Sequence, residues 1–398
     1  MPELSQYSNN RNDTVFPGEG SMTLRLKLLA LASIGVAACS DVDSELLAQN
    51  ASFQTERVAQ FEEPWAMAFM RDGRLLVTEK AGRLKLLDVA DGSVLEISGV
   101  PEVAYGGQGG FGDVVLHPDY ADSGWVYLSY GEPGPDRTSG AAVARARLNL
   151  GAERGELTDF EVIWRQSPKV RGGGHYGHRI AFGDGYLWVS TGDRQQEEPA
   201  QDLQQTLGKI LRLHDDGSVP NDNPFASQGG VAAEIWSLGH RNPLGLAFDL
   251  DGQLWDVEMG PRGGDELNRV ERGANYGWPI VSNGTAYTGL PIPDHSTRPE
   301  FNTPAVYWVP SISPSSLIFY DGDQFPAWRG NAFIGGLSSN AIIRSEFDSD
   351  GSAREAERFA MGSRIRALAQ GPDGAIWALQ DGGRRGGDGY LLKLTPRN

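Results

Sequence analysis

The chain has almost no cysteine and few basic residues. One cysteine, Cys39, occurs among 398 residues, which excludes a disulfide framework within the chain. Lysine and arginine together number 35 against 52 acidic residues, so the formal net charge is −17. Because so acidic a surface repels phosphate backbones, we expect no nucleic-acid partner.

Long apolar runs are also missing. The apolar stretch at residues 28–38 has too few residues to span a bilayer. It follows a short basic segment that begins at Met22, and it ends in small residues followed by Cys39, a pattern that resembles a bacterial lipoprotein signal. We therefore expect residues 1–39 to be a leader with a lipoprotein-type signal peptide, a true start at Met22 and cleavage before Cys39.

The predicted product is a lipoprotein of a bacterial cell envelope that faces the periplasm, with a lipid anchor on Cys39. Ser40 after the cysteine favours the outer membrane, by resemblance to other lipoproteins. The alternative is that Cys39 is an unmodified thiol in a disordered leader. Residues 40–55 are polar and are expected to form a tether.

Glycine is abundant. The 52 glycines and 23 prolines favour short strands joined by tight turns, and convincing amphipathic helices are absent. A turn of the Asp-Gly type followed by an apolar run recurs at residues 71–77, 117–129, 182–190, 250–257, 328–335 and 372–379. Such a phrase indicates a β-hairpin, and the ~45–75 residues between copies suit four-stranded propeller blades. The sequence predicts an all-β fold over residues 56–398, a single six-bladed β-propeller of four-stranded antiparallel blades.

His175 and Asp193 flank the third of these apolar runs. If the residues between them form a hairpin, the two side chains lie at comparable heights. A carboxylate bonded to one imidazole nitrogen fixes the tautomer and leaves the other nitrogen free to act as a base. The alternative is a turn histidine bonded to the backbone.

Arg241 and Asn242 stand before the fourth run and offer a guanidinium for an oxyanion and an amide that orients a carbonyl. The Gly- and Pro-containing segment 258–268 follows that run and exposes backbone carbonyls, which are good ligands for calcium. Its spacing is not that of an EF-hand. The alternative for Arg241 is an ordinary turn with a surface ion pair.

Arg364 and Arg366 occupy alternate positions of a predicted strand, so both side chains point to the same side. Two neighbouring guanidinium groups suit a ligand that carries several carboxylates. The alternative is a pair of solvated arginines on an edge strand.

The order of these motifs resembles the soluble, pyrroloquinoline-quinone (PQQ)-dependent aldose sugar dehydrogenases, the glucose/sorbosone dehydrogenase family. The resemblance runs from about Glu63 to Pro396. It rests on Pro64-Trp-Ala-Met-Ala-Phe, Gly107-Gln-Gly-Gly-Phe with His117-Pro-Asp, the segment 175–179, Gly239-His-Arg-Asn-Pro, Asn275-Tyr-Gly-Trp-Pro, Ser313-Pro-Ser-Ser and Arg364-Ile-Arg. The family fold is a six-bladed propeller, in agreement with the repeat.

The resemblance implies roles for particular residues. It makes His175 the catalytic base, Asp193 the carboxylate that orients it, and Arg241 the cation beside the quinone carbonyls. The residues that it places at the cofactor PQQ are Gln108, Arg241, Asn242, Ser311, Arg364 and Arg366. It assigns the active-site calcium to the carbonyls of Gly260 and Pro261, and a second, structural calcium to backbone oxygens of Glu266 and Tyr276.

The activity implied by the resemblance is the oxidation of an aldose sugar to a lactone. Calcium and Arg241 make a quinone carbon a hydride acceptor, and His175 removes the proton of the sugar hydroxyl. Electrons then pass to an external acceptor. The protein orients cofactor and sugar, and the redox chemistry belongs to the cofactor.

Two positions depart from the family pattern. Ser338 stands where the family usually presents a lysine to the cofactor, so one cation is missing. His178 stands where a glycine usually precedes Arg179, and it either narrows the pocket or competes as a base.

Two other functions remain open from the residues. A calcium-dependent propeller lactonase or other hydrolase requires a carboxylate-rich calcium site at the axis and no redox cofactor. A cofactor-free propeller that binds glycans or partners at the envelope becomes a candidate because the lysine is missing. Dye reduction with PQQ, calcium and aldoses discriminates among the three.

Overall fold

The structure is a computed structural model that describes residues 52–151, 153–383 and 386–397. The predicted leader and Cys39 lie outside the described residues. In the described part of the chain, no helix is both long and apolar enough to cross a membrane. Helical segments there are short: α1 (Tyr120–Ser123) and the 3₁₀ turns Pro135–Arg137, Glu198–Gln201, Ala226–Gln228, Gly230–Glu234, His295–Thr297 and Pro326–Trp328.

One four-stranded antiparallel sheet joins the two ends of the described chain, in the order β1–β24–β23–β22. Its strands are β1 (Phe53–Glu62), β22 (Ile365–Gln370), β23 (Ile376–Gln380) and β24 (Asp388–Pro396). The first strand therefore begins at Phe53 rather than after the expected tether end at residue 55. Phe53 is buried against Trp328 and Phe359, which is why the ordered strand includes it.

Three further four-stranded sheets are antiparallel and take their strands in sequence order. The first contains β10 (Gly177–Gly183), β11 (Tyr186–Thr191), β12 (Lys209–Leu213) and β13 (Ile235–Leu238). The second contains β14 (Pro243–Phe248), β15 (Leu254–Glu258), β16 (Asp265–Arg269) and β17 (Val306–Trp308). The third contains β18 (Pro314–Phe319), β19 (Ala332–Gly336), β20 (Ala341–Phe347) and β21 (Ala353–Ala360).

The remaining sheet has eight strands in the order β2–β3–β4–β5–β9–β8–β7–β6. Its strands are β2 (Pro64–Phe69), β3 (Leu75–Glu79), β4 (Arg83–Leu87), β5 (Val94–Ser98), β6 (Phe111–Leu116), β7 (Trp125–Pro133), β8 (Ser139–Leu150) and β9 (Gly155–Arg165). It consists of two antiparallel halves joined by a short parallel pairing of β5 with β9, at Ile97 and Gly155.

Strand alternation explains why the sheets stack. Successive side chains of a strand point to opposite faces, and here both faces are covered. On β11, Leu187 and Val189 pack with Tyr127 of the preceding sheet, whereas Trp188 packs with Leu246 of the following sheet. Each sheet thus shares one core with each neighbour, which is the packing of a β-propeller.

The strands β2, β6, β10, β14, β18 and β22 line the axis. Each packs against the next, and β22 packs against β2, so they form a closed ring. Every one of them leads into a hairpin with the strand that follows it. The hairpins fall on the repeated Asp-Gly phrases, so the expected all-β propeller is confirmed.

Candidate active site

The predicted site residues precede the axis-lining strands. His175 comes two residues before β10, Arg241 and Asn242 directly precede β14, and Arg364 directly precedes β22. Because these strands form one ring, their starts meet at one end of the axis. We call this end the site face.

His175 and Asp193 form a buried dyad. The Nδ1 atom of His175 lies 2.6 Å from Oδ1 of Asp193. The other carboxylate oxygen accepts a 2.8 Å hydrogen bond from the indole Nε1 of Trp278, and the amide of Gln195 donates to Oδ1 at 2.8 Å. The carboxylate is held at both oxygens, so it fixes the orientation of the imidazole.

The electrostatics of the dyad leave the imidazole neutral. Burial lowers the pKa of His175 below its usual value, and this outweighs the opposing effect of the Asp193 carboxylate. The pKa of Asp193 is also lowered, because hydrogen bonds and nearby positive charge outweigh its burial. A neutral imidazole whose Nδ1–H donates to an anionic Asp193 leaves Nε2 able to accept a proton.

Backbone contacts tie Gln108 and Asn242 to the dyad segment. The side-chain oxygen of Gln108 accepts a hydrogen bond from the His175 amide at 2.8 Å. The Asn242 oxygen accepts from the Gly177 amide at 3.3 Å, while its buried side-chain nitrogen has no partner among the described residues. Asn242 therefore retains a donor that a ligand could accept.

Arg241 is positioned by Glu258 and turned toward the predicted calcium loop. One carboxylate oxygen of Glu258 accepts from the amides of Arg241 at 2.5 Å and Asn242 at 3.2 Å. The guanidinium donates to the carbonyls of Met259 and Gly260, at 3.0 and 2.7 Å. The Gly260 oxygen thus accepts from the Arg241 guanidinium and, as a carbonyl oxygen with two lone pairs, keeps one acceptor position.

The loop at Gly260 is connected to Ser313 through Asp265 and to Ser311 through Gly263. The carboxylate of Asp265 accepts from the amides of Gly260 at 2.9 Å and Ser313 at 2.7 Å. The hydroxyl of Ser311 accepts from the Gly263 amide at 3.0 Å. No hydrogen bond to the Pro261 carbonyl occurs within the described part of the chain.

A cavity of about 620 Å³ opens beside these groups at the site face. Of the predicted cofactor residues, Gln108, Arg364 and Arg366 line it, and Ser338 does so as well. Its apolar wall comes from Trp65, Tyr176, Leu244, Met259 and Leu337. His175, Asp193, Arg241, Asn242, Gly260, Pro261 and Ser311 do not line it directly; their sequence neighbours Tyr176, Gly177, Met259 and Ser313 do.

The arginine pair shares a carboxylate that the sequence did not indicate. Nη2 of Arg364 and Nη2 of Arg366 lie 3.2 and 2.5 Å from the same oxygen of Asp381. Both guanidinium groups keep donors for a ligand, because a single carboxylate oxygen cannot accept from all the N–H groups of two arginines. The two guanidinium groups therefore lie on the same side of the backbone, and their joint action on a ligand stays a prediction.

His178 lines the cavity wall. Its ring stacks on Tyr176 at 5.0 Å and packs edge-on to Trp65 at 5.7 Å. Burial lowers its pKa to about 3, and both ring nitrogens lack a hydrogen-bond partner among the described residues. Unlike His175, it has no carboxylate to fix its tautomer, so its geometry suits packing better than proton transfer.

An acidic cluster lies behind Arg241. His240, Asp256 and Glu258 offer ligand atoms within 4.8 Å of one another, and all three are buried. Burial and the neighbouring carboxylates of Glu258 and Asp256 raise the pKa of Glu266 well above its usual value. Such a cluster suits an oxygen-preferring cation.

The two residues predicted to hold a second calcium meet at this cluster. Glu266 and Tyr276 both line a small cavity of about 10 Å³, together with Glu258. The Tyr276 carbonyl lies 3.0 Å from Nε2 of His295, whose Nδ1 lies 3.8 Å from Glu266. A cavity of this volume has room for about one ion or one water molecule.

Several residues of the site were missed in the sequence. Glu258 ends β15, Asp265 begins β16 and Trp278 lies in the loop after β16, all within segments that drew attention for other residues. Asp381 and Lys80 directly follow β23 and β3, without any repeated motif.

Comparison with known proteins gives the family of the chain. The model of the glucose/sorbosone dehydrogenase family matches residues 61–393. Aldose sugar dehydrogenase YliI of Escherichia coli (strain K12) is 40% identical over 377 residues, which cover 93% of this chain and 97% of that protein.

Solved structures give the same result. The apo form of the soluble aldose sugar dehydrogenase from Escherichia coli superposes with a TM-score of 0.80 at 40% identity, over 87% of this chain and 100% of that chain. The PQQ-bound aldose sugar dehydrogenase from Streptomyces coelicolor has a TM-score of 0.71 at 28% identity, over 87% of this chain and 99% of that one.

Fold and site together define a β-propeller oxidoreductase with its cavity at the axis. The chain belongs to the glucose/sorbosone dehydrogenase family.

Proposed function

We propose that the protein oxidises aldose sugars to lactones with PQQ as its cofactor and passes the electrons to an external acceptor. The observation that carries the proposal is the buried His175–Asp193 dyad beside a cavity of about 620 Å³ with cationic groups on its wall. The likeness to a PQQ-bound aldose sugar dehydrogenase supports the choice of cofactor.

The residues present fit a flat, acidic cofactor. Trp65, Tyr176 and Leu337 offer apolar wall, and Arg364 and Arg366 offer donors for carboxylates. When bound, PQQ supplies the two-electron oxidation by accepting hydride from the anomeric carbon of the sugar. The protein contributes the binding and orientation of both molecules.

His175 acts as the general base in this proposal. Nε2 accepts the proton of the anomeric hydroxyl, and the Nδ1–H···Asp193 hydrogen bond stabilises the imidazolium that results. Gln108 holds the His175 backbone, and Asn242 holds the backbone amide of Gly177 on the cavity wall. Arg241 stabilises negative charge that develops near the calcium loop.

Calcium is part of the proposal at two places. The Gly260 and Pro261 carbonyls fit an oxygen-preferring ion that would polarise the cofactor, with the Gly260 oxygen also accepting from Arg241. At the second place, the proposed ion lies at the backbone oxygens of Glu266 and Tyr276, beside the small cavity, where it would offset the charge of the acidic cluster.

We also propose the finer features of the molecule. The two halves of the eight-stranded sheet count as two blades, which gives six blades with the other four sheets. The lipoprotein-type signal at Cys39 supports an anchored protein that faces the periplasm, at the outer membrane.

The state of the Asp113 carboxylate at the axis argues against the hydrolase alternative. Asp113, a carboxylate on the axis-lining strand β6, is paired with Arg179 at 3.2 Å and accepts from the Ile180 amide at 3.1 Å. A carboxylate neutralised in this way is a poor calcium ligand.

The test is reconstitution of the purified apoprotein with PQQ and calcium, followed by dye reduction with a panel of aldoses and detection of the lactone. Omission of calcium and a chelator wash serve as controls for the metal. The proposal fails if no aldose supports dye reduction and the absorbance of PQQ is unchanged by the protein. Lactone hydrolysis without PQQ would instead favour the hydrolase.

A further inference from the structure

The cavity wall lacks a cation at one position and has an unassigned cation at another. Ser338 lines the cavity as an exposed residue, and its hydroxyl donates to the Ser311 carbonyl at 3.0 Å. It offers no charge to an acidic ligand. Lys80 lines the same cavity, next to Gly107 and Gln108.

The backbone of Lys80 is fixed on three sides. Its amide donates to the Glu63 carbonyl at 3.1 Å, and its carbonyl accepts from Phe111 at 2.9 Å. A Cβ on Gly110 would lie 2.3 Å from that carbonyl, so the two segments approach as closely as glycine permits. The lysine side chain therefore starts from a rigid position on the site face.

The ammonium group of Lys80 has weak internal partners. Its Nζ donates to the Gly107 carbonyl at 3.1 Å and lies 3.7 Å from Oε1 of Glu63, beyond hydrogen-bond distance. The Glu63 carboxylate accepts instead from the hydroxyl of Tyr105. Since an ammonium has three donors, at least one remains for a ligand in the cavity.

The charges around the cavity leave room for an anion. Lys80, Arg364 and Arg366 line it as cations, and Glu63 and Asp381 line it as carboxylates. The wall therefore carries one excess positive charge. Each carboxylate of an acidic ligand competes with an internal carboxylate for these cations.

We propose that Lys80 binds a carboxylate of the acidic cofactor and supplies the cation that Ser338 does not. The inference rests on the proposed function. Lys80 follows β3 and Ser338 follows β19, and the arginine pair at β22 lies between the sheets that contain these two strands. Glu63 acts as the internal counter-ion that the cofactor carboxylate replaces.

The test measures PQQ affinity directly, by equilibrium dialysis with the calcium-supplemented apoprotein at low and moderate salt. Lys80→Met should raise the Kd about tenfold, the effect of losing one partly exposed charge-assisted contact. Lys80→Arg should keep the Kd within about threefold, because it keeps the charge. The loss should shrink at the higher salt concentration.

Lys85→Met is the matched control. Lys85 lies on the adjacent strand β4, and its side chain is 18% exposed against 19% for Lys80. Its Nζ pairs with Glu96 at 2.5 Å, and it does not line the cavity. A Lys80→Met Kd equal to that of Lys85→Met would overturn the inference. Failure of the unsubstituted protein to retain PQQ would instead contradict the proposed function, so the two failures are distinguishable.

Discussion

The two ends of the axis-lining strands differ in chemistry. At the site face, each strand is preceded by polar and charged residues that surround the cavity of about 620 Å³. At the far end, a second cavity of about 350 Å³ is lined by Asp113, Arg179 and Ser316 together with apolar residues of the same strands: Met67, Ala68, Phe69, Val114, Val115, Leu116, Leu246, Leu317 and Leu368. The repeated Asp-Gly hairpins lie at this far end and build the fold, whereas the segments that interrupt the repeat carry the chemistry.

One ion pair lies between the two ends. Arg179 on β10 donates to the carbonyls of Leu244 and Ser315, pairs with Asp113, and stacks on Trp65 at 4.2 Å. It therefore connects five of the axis-lining strands. Leu244 and Trp65 line the site cavity, while Asp113 and Arg179 line the far one.

The largest effect is expected at the site face. His175→Ala removes the proposed base and should lower kcat by about 10²–10⁴-fold. PQQ affinity should change little, because His175 does not line the cavity. Steady-state kinetics combined with equilibrium dialysis measure the two effects separately.

His178→Ala is the comparison variant for this experiment. It keeps the dyad and should leave turnover within a few-fold, although it removes packing from the cavity wall. Full activity in His175→Ala together with a large loss in His178→Ala would move the base to His178.

The next effect is expected between the two ends. Arg179→Met leaves Asp113 buried without its cation and should lower the free energy of unfolding by about 3–5 kcal/mol. The pair Arg179→Met with Asp113→Asn should recover part of the loss, because the uncompensated charge is removed. Denaturant unfolding of the apoproteins measures both. Equal stability in all three proteins would show that the ion pair is not required to join the strands.

The fold could be predicted from sequence because hairpin turns and alternating strands are local. Asp184 and Gly185, for example, have the positive φ angles that such a turn requires. The start of β1 at Phe53 was missed because its burial depends on Trp328 and Phe359, far away in the chain.

The residues of the site also divide into those that the sequence predicts and those that depend on distant contacts. His175, Asp193 and Arg241 lie in motifs of their own, and the structure brings them together. Asp381 could not be predicted, because its contact with Arg364 and Arg366 depends on how β22 pairs with β23. Charge pairing across strands has no signature in a single segment.

A moderate effect is expected from pH at the site face. Burial holds the pKa of His175 below its usual 6.5, so the imidazole is neutral at neutral pH and becomes protonated as the pH falls through that lowered pKa. Protonation occupies Nε2, so kcat/KM should fall by about tenfold per pH unit below the pKa and stay level above it. An inflection at or above 6.5 would contradict the proposed state of the dyad.

The smallest effect is expected at the far end. Gly185 follows β10 with φ +78°, and a Cβ there meets nothing within 4 Å. Gly185→Ala should therefore lower the free energy of unfolding by about 1–2 kcal/mol, the cost of the left-handed backbone conformation for alanine. It should leave kcat and the PQQ Kd unchanged.

Gly177, at the other end of the same strand, is the matched comparison. Its φ is +76°, nearly the same, but a Cβ there would lie 2.7 Å from the Ser190 carbonyl and 2.8 Å from the Cα of Thr191. Gly177→Ala should lose more stability than Gly185→Ala and should also lower kcat, because Gly177 is two residues from His175. Since the backbone angle is common to both, the difference measures the crowding of the site face alone. Equal losses of stability with no change in kcat would mean that both ends of the strand accommodate an added Cβ equally well.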